Sequence, residues 1–419
     1  MGGSMRLGSA VQAVGLGRKG AAAAAGFMFL LLGALIGWLA WGQGVEAWRL
    51  AWVLVLPLAW GFTGSRWAGS VLMAGYHLAG SRGLPAGTAV FFGESEPVWF
   101  GWLIWVAACA LLTLPFVLLW SDQDRTRMWR FMAAAGASLV PPLAVVGWLS
   151  PLAVAGIVYP GLGWAGLVLT LALMGALVTR HRRWIGLLSM VAFGANGLVY
   201  FAGDDALVGW QAKDTSFPQL SSAGSDDAGM LLAAMQRVEW VKDFAKSVPA
   251  DTVVVLPETV LGSLDGISTL SLNDTESALR ARGSRILVGA ERVRPEFNFQ
   301  YENVVVVLGA QASEARYAVQ NIPVPVAMWK PWASDGALAN VLGRGNVLQV
   351  GAVRAGVLIC YEQLLAYSVL RTLYEKPGVL VAVSNHWWAR NTSIPAIQHQ
   401  TVHAFSRLFS VGVVIARNG

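Results

Sequence analysis

Two rhythms of apolar and polar positions divide the chain. Over the first half, apolar residues run almost without interruption, in stretches at 21–41, 50–62, 67–80, 98–120, 131–148, 161–179 and 184–201. Uncharged runs near 20 residues match the hydrocarbon thickness of a bilayer, so 21–41, 98–120, 131–148, 161–179 and 184–201 are predicted membrane helices. The run at 50–62 is short and contains Pro57, which suits a kinked or tilted span. The run at 67–80 is rich in small residues and, by length alone, fits either a crossing or a re-entrant piece. After position 226 the rhythm changes: helical periodicity over 228–248, 274–282 and 394–409 alternates with short β-branched runs at 252–256, 285–288, 303–308, 356–359, 379–383 and 411–415. That alternation predicts an α/β domain with buried sheets. Between the two rhythms, 204–226 is rich in Ser, Asp and Gly and reads as a linker. The expected organisation is a membrane domain over 1–203, the linker 204–226, and an α/β domain over 227–419.

Charge resolves the ambiguous segment. The first 203 residues hold 12 Lys/Arg and 5 Asp/Glu, the remainder 18 and 19, so the net charge of +6 arises in the apolar half. Its arginines cluster in short loops, at Arg125, Arg127 and Arg130 and at Arg180, Arg182 and Arg183, as topology signals do and as a nucleic-acid surface does not. Placing both loops in the cytoplasm puts 81–97 outside, which requires 67–80 to cross. Seven crossings result, with the α/β domain on the periplasmic side of a bacterial inner membrane. Tryptophans at span ends (Trp38, Trp41, Trp99, Trp120, Trp184) suit an interfacial belt. Two cysteines, Cys109 within an apolar run and Cys360, rule out a disulfide framework.

Cys360 ends the run Gly356-Val-Leu-Ile and is followed by Tyr361-Glu362. This reads as a buried strand delivering a thiol to its carboxyl end, where α/β proteins place chemistry. The same residue equally suits a small apolar core position. Glu258 ends the strand 252–257 in the same way, so a carboxylate and a thiol are expected on one rim. A nucleophilic thiol needs a proton acceptor and a positive donor for its intermediate. Lys330, within Met328-Trp-Lys-Pro-Trp332, is the lysine available between Lys246 and Lys376, either as that cation or as an interfacial residue between lipid-dipping tryptophans. His399 and His403 share a helical face but lack an acidic third ligand of obvious spacing, so no metal site is expected.

Taken in order, Pro257-Glu258, Tyr301-Glu302-Asn303, Cys360-Tyr361-Glu362, Ser384-Asn385-His386-Trp387-Trp388 and Gln398-His399 resemble the nitrilase superfamily. With membrane helices in front, the chain resembles bacterial apolipoprotein N-acyltransferases, and in compactness it is similar to the TraB conjugal-transfer proteins of rhizobial and agrobacterial plasmids. The resemblance implies a four-layer αββα sandwich and a Glu-Lys-Cys triad. Glu258 would be the general base, Cys360 the acyl-accepting nucleophile, Glu362 a supporting carboxylate, Asn385 part of the Ser-Asn motif and Trp388 a wall of the acyl pocket. It also implies an acyl group passing through a thioester to an amine with no cofactor, phospholipid or lipoprotein as substrate, and conjugation-apparatus proteins as partners. The chain departs from that pattern at three places. Gln320 stands where the triad lysine is expected, Met328 where a second glutamate is, and His386 where an aspartate follows Ser-Asn. Lys330 would then have to supply the amine from a rebuilt loop. The pattern also continues beyond an Asn-Gly like Asn418-Gly419, so a C-terminally truncated sandwich is expected. A membrane-anchored accessory or scaffold of conjugation, with Cys360 as a core residue, is the alternative.

Overall fold

The structure is a computed structural model that describes residues 18–202, 207–218, 227–264, 266–297, 300–312 and 314–419. Among the described residues, nine strands form two sheets. The first has the order β1 (Trp210–Ala212), β2 (Val253–Val255), β3 (Arg285–Arg294), β4 (Gln300–Leu308) and β5 (Tyr317–Val319). The second runs β6 (Val347–Val350), β7 (Val353–Ile359), β8 (Val379–Asn385) and β9 (Gly412–Asn418). β1, β2 and β3 are mutually parallel, as are β7, β8 and β9, so the carboxyl ends of β2, β7 and β8 carry their loops on common edges.

Alternation within each strand assigns the layers. Val255, Leu287, Val305 and Val307 turn inward to meet Val357, Ile359, Val381 and Val383 of the other sheet. Val254, Ile286, Val288, Val304 and Val306 turn outward onto two helices, Asp227–Ser247 and Gly266–Ala281, through Val238, Val241, Leu272 and Leu279. On the far side, Leu358, Leu380 and Ala382 pack on helices Ala366–Tyr374 and Ile394–Phe409. Both faces of each sheet are covered, which is why these strands read as continuous apolar runs. The expected four-layer order is therefore observed. β1 lies inside the stretch read as a linker: Trp210–Ala212 pairs with β2, and its continuation bridges Thr215 to Asn418 of β9, joining the edges of the two sheets. Three residues are too few for a strand pattern to show in sequence. The predicted linker at 204–206 and 219–226 lies outside the described residues.

The apolar half is helical but less regular than expected. Among the described residues, two helices are long and apolar enough to cross a membrane, Ala22–Ala40 and Val98–Leu118. Pro151–Val158 with Gly163–Thr179, bent by 115°, makes a third if taken as one broken span. The run at 131–148 is not one helix. Asp124–Gly136 ends there and short 3-10 turns follow, because Pro141 and Pro142 lack the N–H groups a helix needs. A short helix, Leu84–Phe92, occupies the segment expected to be a loop. Helices Arg18–Ala40 and Arg66–Gly80 pack closely because Gly33, Gly37 and Gly75 face the partner backbone at Leu72, Tyr76 and Leu30, where a methyl group would collide.

The segments meet in two groups of loops. At one end Arg127 Nη1 donates to Gly61 O (3.2 Å), Trp120 Nε1 to Thr63 Oγ1 (3.1 Å), and Arg180 lies over Phe62. At the other end the α/β half docks through helix Ile394–Phe409. Gly42 N donates to Gln400 Oε1 (3.0 Å), Gly161 N to Arg407 O (2.8 Å), and Gly156 sits against the Ala404 carbonyl. Tyr361 Oη donates to Val145 O at 2.8 Å, so the residue after Cys360 is anchored on the helical half.

Candidate active site

Strand β7 ends in a sharp turn. Cys360 has φ of 49°, a left-handed conformation that a side chain with a Cβ adopts at a cost, and Thr259, directly after Glu258, has φ of 55°. Both strained residues flank one point, where the carboxyl end of β2 faces the carboxyl end of β7. Gly289 makes this possible, since any Cβ there would strike the Glu258 backbone. Glu258 and Cys360 are each 4% exposed, and their side chains lie close enough to shift each other's titration.

The Glu258 carboxylate accepts from Asn303 Nδ2 on Oε1 (2.6 Å) and from the Asn385 backbone N–H on Oε2 (2.8 Å). Burial nevertheless outweighs these donors and pushes the carboxyl up to about 7. The Cys360 thiol is raised well above its ordinary range, first by burial and then by the Glu258 charge, against which the backbone N–H groups of Asn385 and Tyr361 act. The resting pair is thus a neutral thiol beside a carboxyl poised near neutrality. It can pass one proton from sulfur to carboxylate as a reaction begins.

A second layer fixes the elbow. Glu362 accepts from the Ile359 N–H (3.1 Å) and the Asn321 N–H (3.0 Å), and burial raises it to about 7. Gln398 Nε2 donates to the Cys360 carbonyl (2.9 Å) while its Oε1 meets His386 Nε2 (2.7 Å). Asn385 Nδ2 donates to Thr259 Oγ1 (2.8 Å) and its Oδ1 accepts from Asn418 Nδ2 (3.0 Å). Gln320 Nε2 donates to the Ile359 carbonyl (2.9 Å) and its Oε1 accepts from Asn303 Nδ2 (3.2 Å).

Of the residues singled out in sequence, Glu258, Cys360, Glu362 and Asn385 come together. Lys330 does not: its Nζ pairs with Asp335 Oδ2 at 2.9 Å in a surface turn, and Val324 and Val326 hydrogen-bond to Met328 and Trp329 in the loop before it. The amide of Gln320 occupies the inner position instead. Asn303, Gln398 and Glu291 gain no individual role from sequence. The signals for Asn303 are its place in the Tyr301-Glu302-Asn303 motif and a polar residue opening the all-apolar run 304–308. The rings of His399 and His403 are tilted by 35° with centroids 4.0 Å apart, and His399 Nδ1 lies 3.1 Å from the Val45 carbonyl. Among the described residues no group of three or more His, Cys, Asp or Glu is placed to hold a metal.

Trp388 lies beside this cluster on an apolar cavity of about 300 Å³ between the two halves. Tyr361, Leu364 and Trp388 form its α/β wall, with Thr88, Ala108 and Leu111 opposite. Leu111 on that wall is itself exposed.

Fold and site together define an α/β sandwich with a cysteine–carboxylate pair, joined to an apolar helical half in which, among the described residues, two helices are long and apolar enough to cross a membrane. No family model matches the chain. It is 32% identical over 374 residues to a probable conjugal transfer protein TraB of Sinorhizobium fredii, covering 87% of this chain and 91% of that protein. It is 31% identical over 416 residues to the conjugal transfer protein TraB of Agrobacterium fabrum, covering 93% and 92%. The chain belongs to the TraB family of conjugal transfer proteins. Similar solved structures include an amidase from Nesterenkonia sp. (13% identity, TM-score 0.33, 50% of this chain and 75% of that one) and a mutant of the Nesterenkonia AN1 amidase from the nitrilase superfamily (13%, 0.32, 50% and 75%).

Proposed function

We propose that this protein is a nitrilase-like thiol enzyme of the conjugation apparatus that carries an acyl group on Cys360 and passes it to an amine at the membrane surface. The observation that carries the reading is the buried Glu258–Cys360 pair, with Tyr361, the residue after Cys360, on the wall of an apolar cavity shared with the helices. In this reading Glu258 takes the thiol proton and returns it to the leaving group. The N–H groups of Asn385 and Tyr361 stabilise developing negative charge, Glu362 and Asn385 hold the elbow, and Trp388 walls the acyl chain. A lipid-derived acyl group suits the cavity because its walls are almost wholly apolar.

The domain limits expected from sequence, with the membrane part over 1–203 and the nitrilase-like part over 227–419, are retained in this proposal, as are an inner-membrane location and a periplasmic α/β domain. Support for sidedness comes from the loop ends. Gly61, Trp120, Arg127 and Arg180 meet at the end opposite the docked α/β half, so the arginine-rich loops share one side. The seven crossings expected from sequence are part of this proposal, supported by the two long apolar helices Ala22–Ala40 and Val98–Leu118; the short or broken segments would cross beside their neighbours. A second reading, a membrane-anchored scaffold that has lost catalysis, is favoured by Gln320 in the inner position and by the neutral thiol.

Mass spectrometry of the protein purified in native phospholipid separates the two. A lipid-sized adduct on Cys360, absent in Cys360→Ala, is the expected result. A wild-type Cys360 free of adduct and inert to alkylating probes would leave the scaffold.

A further inference from the structure

At the rim where Glu258 stands, acceptors outnumber donors. Glu291 and Asn303 are cross-strand partners in β3 and β4, so their side chains share one face of the sheet, the face from which Asn303 reaches Glu258. The Glu291 carboxylate makes no hydrogen bond or ion pair with any described residue, and its charge reaches both Glu258 and Tyr301. Asn303 is 1% exposed and directs its amide N–H groups to Glu258 and Gln320, while its Oδ1 is buried with no donor. The nearby cations are engaged elsewhere: Arg292 and Arg294 pair with Glu302, and the buried Arg237 donates to the carbonyls of Thr259 and Pro218. Two carboxylates and an orphan buried acceptor with no positive partner describe a place that lacks a donor-rich cation.

We propose that this rim binds the protonated primary amine of a substrate between Glu291, Asn303 Oδ1 and Glu258, and that the bound ammonium supplies the positive charge that activates Cys360. The inference rests on the nucleophile reading of Cys360 and adds the class of its substrate. A divalent metal suits the rim poorly. Each Glu258 oxygen already accepts one N–H and keeps one further lone pair, so Glu258, Glu291 and Asn303 Oδ1 together fall short of the six to eight oxygens that calcium takes. Three N–H donors on one nitrogen match the open acceptors. With that charge in place the S–H bond of Cys360 breaks, its electron pair stays on sulfur, and the proton forms an O–H bond on Glu258. No oxidant or reductant is involved. The thiolate is then made only when an amine is present, which protects a thioester from forming without an acceptor.

The test titrates methylammonium chloride against the full chain in detergent at constant ionic strength, with tetramethylammonium, potassium and magnesium chlorides as comparisons. Two readouts are followed: alkylation of Cys360 by iodoacetamide, read by peptide mass, and the melting temperature. Methylammonium is expected to raise the melting temperature saturably and to accelerate alkylation about tenfold, the effect of one unit of thiol pKa. Tetramethylammonium and potassium should do neither, Glu291→Gln should lose both responses, and Gln320→Lys should alkylate quickly with no amine added. Alkylation at an unchanged rate with no melting shift in the wild type would overturn the ammonium site and leave the nucleophile reading standing. A response to magnesium alone would overturn the amine assignment. Cys360 inert under every condition, Gln320→Lys included, would remove both.

Discussion

Asn303 Nδ2 donates to Glu258 Oε1 at 2.6 Å and to Gln320 Oε1 at 3.2 Å, so one amide ties the carboxylate of β2 to the residue that holds the carbonyl preceding Cys360. Replacing it by leucine keeps the branching of the side chain and removes both donors. A buried acceptor left without its partner costs about 1–3 kcal/mol, so Asn303→Leu should lower the melting temperature. Glu258 should also hold its proton to higher pH, since a donor that favoured the ionised form is gone. The pH profile of Cys360 alkylation, expected to rise through about 7 in the wild type as Glu258 ionises, should shift upward in the variant. A profile that stays in place while stability falls would reduce Asn303 to a packing role.

Lys330 gives the opposite expectation. Its ammonium pairs with the exposed carboxylate of Asp335, a type of surface pair that contributes about 0–1 kcal/mol. Lys330→Ala should therefore leave both the melting temperature and the Cys360 alkylation rate close to wild type. A tenfold loss of alkylation would return Lys330 to the site as its cation.

Glu362 makes stability depend on pH in a definite direction. Its carboxyl is raised from about 4.5 to about 7 by burial, so the native state binds a proton that the unfolded state has already released between those values. Stability attached to Glu362 is fully present below about 4.5 and is lost as pH rises through about 7. Glu258 has the same sign. Thermal melts from about pH 4.5 to about pH 8 should fall with pH in the wild type and fall less steeply in Glu362→Gln, which keeps a side-chain acceptor without the charge. Equal slopes in the two proteins would show that Glu362 titrates normally.

These residues also show which features are legible in sequence. Glu258 and Cys360 each end an apolar strand, and that ending is enough to assign them to a common rim. The four layers are legible only through resemblance, because strands buried on both faces lose the alternation that would assign their sides. Lys330 is misplaced by sequence because chain order says nothing of which way a surface turn points, and the turn around Val324 to Trp329 closes on itself. The break at 131–148 is obscured because hydropathy counts apolar residues and takes no account of the prolines among them. Glu291 is invisible for a different cause: its significance lies in a partner it lacks among the described residues, which only the packed sheet displays.

The cavity beside Trp388 allows the acyl proposal to be separated from the reactivity of the thiol. Ala108 lies on its helical wall, across from Trp388 and Tyr361, and is not bonded to Glu258, Cys360 or Asn385. A tryptophan introduced there would direct its ring into the space an acyl chain needs, and a cavity of about 300 Å³ is large enough to receive one. Ala108→Trp should therefore fold, retain alkylation of Cys360 by the small reagent iodoacetamide within about twofold, and lose the lipid-sized adduct. The reasoning is steric and leaves the proton chemistry of Glu258 and Cys360 intact. Loss of adduct and alkylation together would mean that the helical wall shapes the thiol site itself, whereas an adduct that survives the filled cavity would place the acyl chain elsewhere on the protein.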